Sequence, residues 1–149
     1  MSGPAEARTI RVARVSDAAE VARLADQLGY PATDDAMALR LTELLQHRDH
    51  RVWVAVGPAG RPIGWLHASV RRALESEPYV EIEGLVVDEA HRGARIGERL
   101  MEQAVGWARS LRMARVRVRS NVVRADAHRF YHRLGFRRVK DQAVLERGL

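Results

Sequence analysis

Between Gly84-Leu85-Val86-Val87 and a helical stretch opening near Glu98 runs Asp88-Glu89-Ala90-His91-Arg92-Gly93-Ala94-Arg95-Ile96-Gly97. A strand that feeds a basic, glycine-bearing turn and then a helix is a phosphate-binding arrangement. The first helical amides have no intrahelical partners, and the helix dipole adds partial positive charge at the same end. Gly93 and Gly97 remove side chains where backbone must approach a ligand, and Arg92 and Arg95 add full charges. The chemistry such a turn invites is the binding of a phosphate or pyrophosphate. A Walker turn requires Gly-Lys-Ser or Gly-Lys-Thr, yet the only lysine is Lys140, and the spacing of Gly93 and Gly97 does not give Gly-x-Gly-x-x-Gly.

A second group of chemically capable residues precedes the turn. Strand alternation from Tyr79 to Val87 puts Glu81, Glu83, Leu85 and Val87 on one face, so two carboxylates lead toward the phosphate turn. By composition alone these are equally the wet face of a half-buried strand. Further along stand Arg115-Val116-Arg117-Val118-Arg119, then Ser120-Asn121, then a helical stretch ending Phe130-Tyr131-His132-Arg133-Leu134-Gly135-Phe136. The bland reading of Phe130, Tyr131 and Phe136 is an aromatic core. His128 and His132 have a metal-compatible i, i+4 spacing, but no carboxylate or cysteine set completes a site, so no metal is expected.

Strand, basic turn, helix, strand, and a helix carrying Phe-Tyr-x-x-Leu-Gly-Phe: from Val80 to Val139 the chain resembles the GNAT superfamily of acetyl-CoA-dependent N-acetyltransferases. The family turn usually reads Gln/Arg-x-x-Gly-x-Gly/Ala; here Ala90 stands at its first position and Arg95 at its last. Many members carry Asn seven residues before the tyrosine, where this chain has Arg124, with Asn121 nearby. The resemblance implies acetyl-CoA held by Leu85, Val86 and Val87 along its pantetheine arm and by Arg92, Gly93, Ala94, Arg95, Ile96 and Gly97 at its pyrophosphate. Asn121, His128 and Arg133 are the further cofactor contacts it implies. It also implies Glu81 as general base and Tyr131 as general acid, with Glu83 as a clamp on a cationic acceptor. Aminoglycoside 6′-N-acetyltransferases are similar in size and in the strand Glu-x-x-x-Leu-Val-Val, which makes the expected acceptor a small cationic amine: aminoglycoside-like, a polyamine or an amino-acid derivative. A peptide amine is the alternative acceptor, and a homodimer is a possible assembly.

Charge distribution fits a two-sided molecule. Asp88 to Lys140 holds 14 basic and 5 acidic residues, against 11 basic and 14 acidic elsewhere. A basic half suits a polyanion such as coenzyme A, and an acidic half suits an amine entering near Asp34, Asp35, Glu75, Glu77, Glu81 and Glu83. A nucleic-acid-binding domain is a competing reading of the +6 net charge, but the aromatics of the basic half are too few to interleave with its arginines, so no nucleic acid is expected. A non-catalytic acyl-CoA-binding module is the other competitor; it would keep the turn without a working base and acid.

These residues need elements to hold them. At 149 residues, one domain over 9–149 is expected, after a disordered tail at 1–8. The amino terminus has no signal-peptide pattern, no stretch reaches the ~20 apolar residues of a membrane span, and there is no cysteine, so a cytoplasmic protein is expected. Thr9–Val15 reads as a strand. Asp17 and Glu20 signal a helix start, with Gly29 as its stop, and Thr33 caps a second helix. Arg51–Val56, Gly57–Gly60 and Pro62–Val70 read as a hairpin, and Tyr79–Val87 as the next strand. After the turn, Ile96, Leu100, Ala104, Trp107 and Leu111 give a helix its apolar face. Arg115–Arg119, a helix from about Ala125 to Leu134, and strands near Phe136–Val139 and Ala143–Glu146 complete the order β-α-α-β-β-β-α-β-α-β-β. The expected class is α+β: a GNAT-like mixed, mostly antiparallel central sheet flanked by helices.

Overall fold

In the computed structural model, residues 9–120 and 124–149 are described. The tail at 1–8 and Asn121 lie outside them. The chain divides into two compact units, one ending at Val118 and one running from Arg119 to Leu149.

The first unit is a five-stranded sheet in sequence order. Strands β1 (Thr9–Val12), β2 (His50–Val56), β3 (Pro62–Ala73) and β4 (Ser76–Val87) pair antiparallel, and β5 (Val116–Val118) joins β4 in parallel. Helices α1 (Ala18–Leu28) and α2 (Asp34–Leu45) cover one face, where Val21, Ala25 and Leu41 pack on Val52, Val54 and Val56. Helix α3 (Ile96–Ser110) covers the other. A Cβ on Gly64 of β3 would stand 3.3 Å from Leu100 and 3.4 Å from Ile96, and Trp107 meets Trp53 of β2 edge to face at 5.9 Å.

Local chemistry fixes the ends of these elements. Gly29 closes α1 in the left-handed region at φ +96°, and the Thr33 hydroxyl accepts the Ala36 amide at 3.1 Å as the N-cap of α2. Asp17 does not cap α1 by its side chain. Its buried carboxylate accepts the Arg14 amide at 2.8 Å and two bonds from Arg11 at 2.8 and 2.9 Å. Burial alone would push that carboxyl up; Arg11 and the amide outweigh it and hold it below the ordinary range.

The second unit contains α4 (Ala125–Arg133), closed by Gly135 at φ +94° with the Phe136 amide donating to the Tyr131 carbonyl at 3.0 Å. The strands expected near Phe136–Val139 and Ala143–Glu146 do not form. Residues 137–149 are exposed throughout, including Val139, Val144 and Leu145, and no ladder among the described residues takes them up. Apolar alternation there is a strand tendency without a partner, and a tendency alone does not make a strand.

Candidate active site

The turn after β4 is fastened to α1. The Asp88 carboxylate accepts from Arg23 at 3.0 Å, from Gln27 at 3.3 Å and from the Ala90 amide at 3.2 Å, while Gln27 accepts the Glu89 amide at 3.0 Å. Burial works against the Asp88 charge, and those donors overcome it, so its pKa lies below the ordinary value. From this anchor the chain passes Gly93 at φ +92° and Arg95 at φ +61°, and α3 begins at Ile96. Both are left-handed positions, natural for glycine and costly for arginine. Arg95 accepts that conformation with its guanidinium turned to Glu98 at 2.7 Å, 76% exposed. Arg92 and Gly93 are exposed, Ala94 is half-buried and Gly97 is buried. The turn thus presents a helix start, an exposed glycine and two arginines. An anionic pyrophosphate fits those groups.

Strand β4 carries the second feature. Ala68 of β3 pairs with Ile82 and His67 with Gly84, leaving Glu83 as an extra residue in a β-bulge. The bulge reverses the alternation. Glu81, paired with Ser69, and Gly84, paired with His67, share the α1–α2 face. So does Glu83, whose carboxylate accepts the Ser69 hydroxyl and is chelated by Arg71 at 2.9 and 3.0 Å. Leu85, paired with Leu66, and Val87, paired with Gly64, point to the α3 face. The single face expected for Glu81, Glu83, Leu85 and Val87 therefore holds for the carboxylates and fails beyond them, because one inserted residue changes the phase.

The bulge also marks where the sheet opens. Strand β5 pairs with β4 only from Val80 to Ile82, so among the described residues no strand pairs with that edge of β4 along Glu83–Val87. Its backbone groups there are suited to main-chain hydrogen bonding by an extended ligand arm leading to the turn.

On the α1–α2 side of the bulge lies a cavity of about 300 Å³. Val21 and Ala25 of α1, Met37, Leu41 and Leu44 of α2, and Trp65 of β3 give it apolar walls; His67, Glu83 and Gly84 form its sheet end, and Tyr30 and Arg40 also line it. A Cβ on Gly84 would stand 2.9 Å from the Trp65 ring, so glycine is required at that wall. Glu83, Leu85, Val86 and Val87 are thus brought to one stretch of strand. Glu81 is not at the cavity wall: it is 2% exposed, with its carboxylate 3.8 Å from the same Arg71. Asp34 and Asp35 are exposed in the first turn of α2, where acidic groups suit the helix dipole, and neither lines the cavity.

Three residues absent from the expected site belong to it: His67, Arg40 and Arg71. His67 Nε2 lies 2.9 Å from His50 Nδ1, and burial pushes its pKa down to about 4, so the ring is neutral at pH 7. Its place on the expected hairpin strand Pro62–Val70 gave no sign of it in the sequence, because His67 meets the cavity only once β3 packs beside the helices. Arg115 and Arg117 of the alternating run lie over the Tyr79 ring at 5.2 and 4.8 Å.

Within the second unit, Tyr131 lies between Phe130 at 5.2 Å and Phe136 at 5.7 Å, and burial raises its pKa. The phenol is therefore held protonated through neutral pH. His128 is half-buried on α4, and the Arg133 guanidinium sits 5.8 Å over the Phe130 ring.

Known proteins agree with this architecture. No curated protein matches the sequence. Among solved structures, an aminoglycoside antibiotic 6′-N-acetyltransferase of Acinetobacter haemolyticus is 20% identical with a TM-score of 0.81, covering 95% of this chain and 99% of its own. The corresponding enzyme of Acinetobacter baumannii is 19% identical with a TM-score of 0.82, covering 95% and 98%. A putative acetyltransferase of Agrobacterium tumefaciens is 22% identical with a TM-score of 0.82, covering 93% and 99%. At these identities the likeness is one of fold. The sequence itself matches the model of the acetyltransferase (GNAT) family from residue 18 to 136, spanning α1, the bulged strand, the turn and α4. The chain belongs to the GNAT family of acetyltransferases.

Proposed function

We propose that the protein transfers an acetyl group from acetyl-CoA to a primary amine by direct attack in a ternary complex. The observation that carries this reading is the continuity of three features along β4 and the turn that follows it: a cavity at Glu83 and Gly84, a strand edge along Glu83–Val87 that no strand among the described residues pairs with, and the anion-suited turn at Arg92–Gly97. An acceptor in the cavity, a pantetheine arm on the edge and a pyrophosphate at the turn would be ordered along one strand. Proximity of this kind is the largest contribution a ternary complex offers.

An alkyl amine with a pKa near ~10 arrives as an ammonium and must lose a proton before it attacks. A base has to reach that proton directly or through one water. Glu83 is the carboxylate at the cavity wall, so we assign it the proton, and Glu81 becomes its buried neighbour, sharing Arg71. The amine nitrogen then bonds to the thioester carbonyl carbon, the C–S bond breaks, the sulfur leaves as thiolate, and the nitrogen sheds its second proton to water, from which Tyr131 is reprotonated. A backbone amide in the Leu85–Val87 stretch would polarise the carbonyl oxygen. Tyr131, at the family's acid position and protonated at neutral pH, would return a proton to sulfur. Products are the N-acetylated amine and the coenzyme A thiol.

The test is free-thiol release from acetyl-CoA against a panel of amines, amino acids, aminoglycosides and peptides. Turnover with at least one primary amine is expected, with Tyr131→Phe slower than the parent. Tight acetyl-CoA binding without turnover of any acceptor would convert the reading to an acyl-CoA-binding module.

A further inference from the structure

The acceptor cavity has a chemistry of its own. Its walls from α1, α2 and Trp65 are apolar, and its formal charges are one carboxylate, Glu83, and one guanidinium, Arg40. Glu83 is already partly compensated. Arg71 grips both of its oxygens, and the Ser69 hydroxyl donates to it as well. His67 contributes a polar but uncharged ring at neutral pH. The same Arg71 stands 3.8 Å from the buried Glu81, so two carboxylates share one guanidinium and these three groups carry one net formal negative charge, enough for a single ammonium. The exposed acids Asp26, Asp34, Asp35 and Glu43 of α1 and α2 do not line the cavity.

We propose that the acceptor is a small amine with a single ammonium group on one apolar body, an arylalkyl or alkyl amine, rather than a polycation. The proposal rests on the acetyl-transfer reading and narrows its acceptor. Size supports it: an apolar cavity of ~150 Å³ admits benzene, so about 300 Å³ takes one or two rings or an equivalent chain. Tyr30, 69% exposed on the α1–α2 connection, offers an aromatic surface to such a body at the cavity's rim. Polarity supports it too. A polycation would leave several ammonium groups against apolar walls and a repelling Arg40, and burying unpaired charge is strongly unfavourable. A single ammonium can share Glu83 and the neutral His67. The same apolar surroundings push its pKa down and ease its deprotonation.

The experiment compares phenethylamine and hexylamine with spermidine and kanamycin by thiol release at saturating acetyl-CoA. It is run on the full chain and on Leu44→Glu, which sets a new carboxylate on the half-buried wall of α2. Calorimetric binding of phenethylamine to the protein saturated with coenzyme A gives a readout independent of turnover. The proposal predicts kcat/KM for phenethylamine or hexylamine at least tenfold above spermidine and kanamycin. It also predicts a negative heat-capacity change on phenethylamine binding, and a preference shifted toward spermidine by at least threefold in Leu44→Glu. Kanamycin or spermidine as the better substrate of the parent protein would overturn the proposal while leaving acetyl transfer intact. Acetyl-CoA binding with no thiol released by any amine would overturn the transfer reading and the proposal with it.

Discussion

The turn at Arg92–Gly97 and the cavity beside Glu83 occupy neighbouring stretches of one chain and solve opposite problems. The turn is largely exposed, basic and built from consecutive residues, with left-handed backbone at Gly93 and a strained left-handed Arg95. The cavity is largely apolar, its carboxylate shares one guanidinium with a buried neighbour, and it is gathered from two helices and three strands. A polyanion can be met by an open surface of amides and arginines. A small amine must be taken out of water, held beside a carboxylate and stripped of a proton, which requires walls. On the proposed reading, the molecule keeps its net positive charge at the cofactor side and would confine acceptor recognition to an apolar hollow whose Arg71, Glu81 and Glu83 together carry one net formal negative charge.

Breaking the cavity's chemistry should give the largest effect. Glu83→Gln keeps shape and removes basicity, so kcat should fall ~10²–10⁴-fold with acetyl-CoA affinity unchanged, and the defect should shrink as pH nears the amine pKa. Glu81→Gln should lower kcat less. Steady-state kinetics of the two variants from pH 7 to 10 decides between them, and a larger loss in Glu81→Gln would return the base to that position.

The next effect is on stability. His67 has a folded pKa of about 4 against 6.5 for an unperturbed histidine. As pH falls from 6.5 to about 4 the unfolded chain binds a proton that the folded cavity resists, so stability falls with pH in that window. The loss should approach ~3 kcal/mol by the lower end. Urea unfolding at several pH values should show a slope that His67→Gln flattens.

On the turn side, Gly93→Val places a β-branched residue at φ +92° with no atom near its Cβ, so any damage comes from backbone strain alone. Strain of ~1–3 kcal/mol should weaken acetyl-CoA binding about tenfold or more by calorimetry, with phenethylamine binding little changed. The smallest effect is a gain. Arg95→Gly removes a left-handed arginine and should raise the urea midpoint by the equivalent of ~0.5–1 kcal/mol. A fall would mean that the Glu98 pairing outweighs the strain.

Legibility in the sequence follows the same division. The turn, the Thr33 cap, the Gly29 stop and the stripe Ile96, Leu100 and Ala104 of α3 are written in residues a few positions apart, and the structure has them where the spacing put them, although Leu111 lies past the helix end and is exposed. The bulge is not local. Whether Glu83 is an inserted residue depends on how β4 registers against His67 and Ala68, and no pattern within β4 announces it. One such insertion was enough to move Leu85 and Val87 off the carboxylates' face. The cavity inherits that difficulty, since His67 and Arg40 matter only once β3 and α2 are side by side. Near Val144, apolar residues signalled a strand that requires a neighbour, and the neighbour is what the sequence does not specify.

The central claim is that the turn and the cavity hold their two substrates together on β4. Initial velocities measured over a grid of acetyl-CoA and the best amine of the panel, with the product weighed by mass spectrometry, test it most directly. Intersecting double-reciprocal lines and a singly N-acetylated amine are predicted. Parallel lines, or thiol release with the amine unmodified, would contradict it.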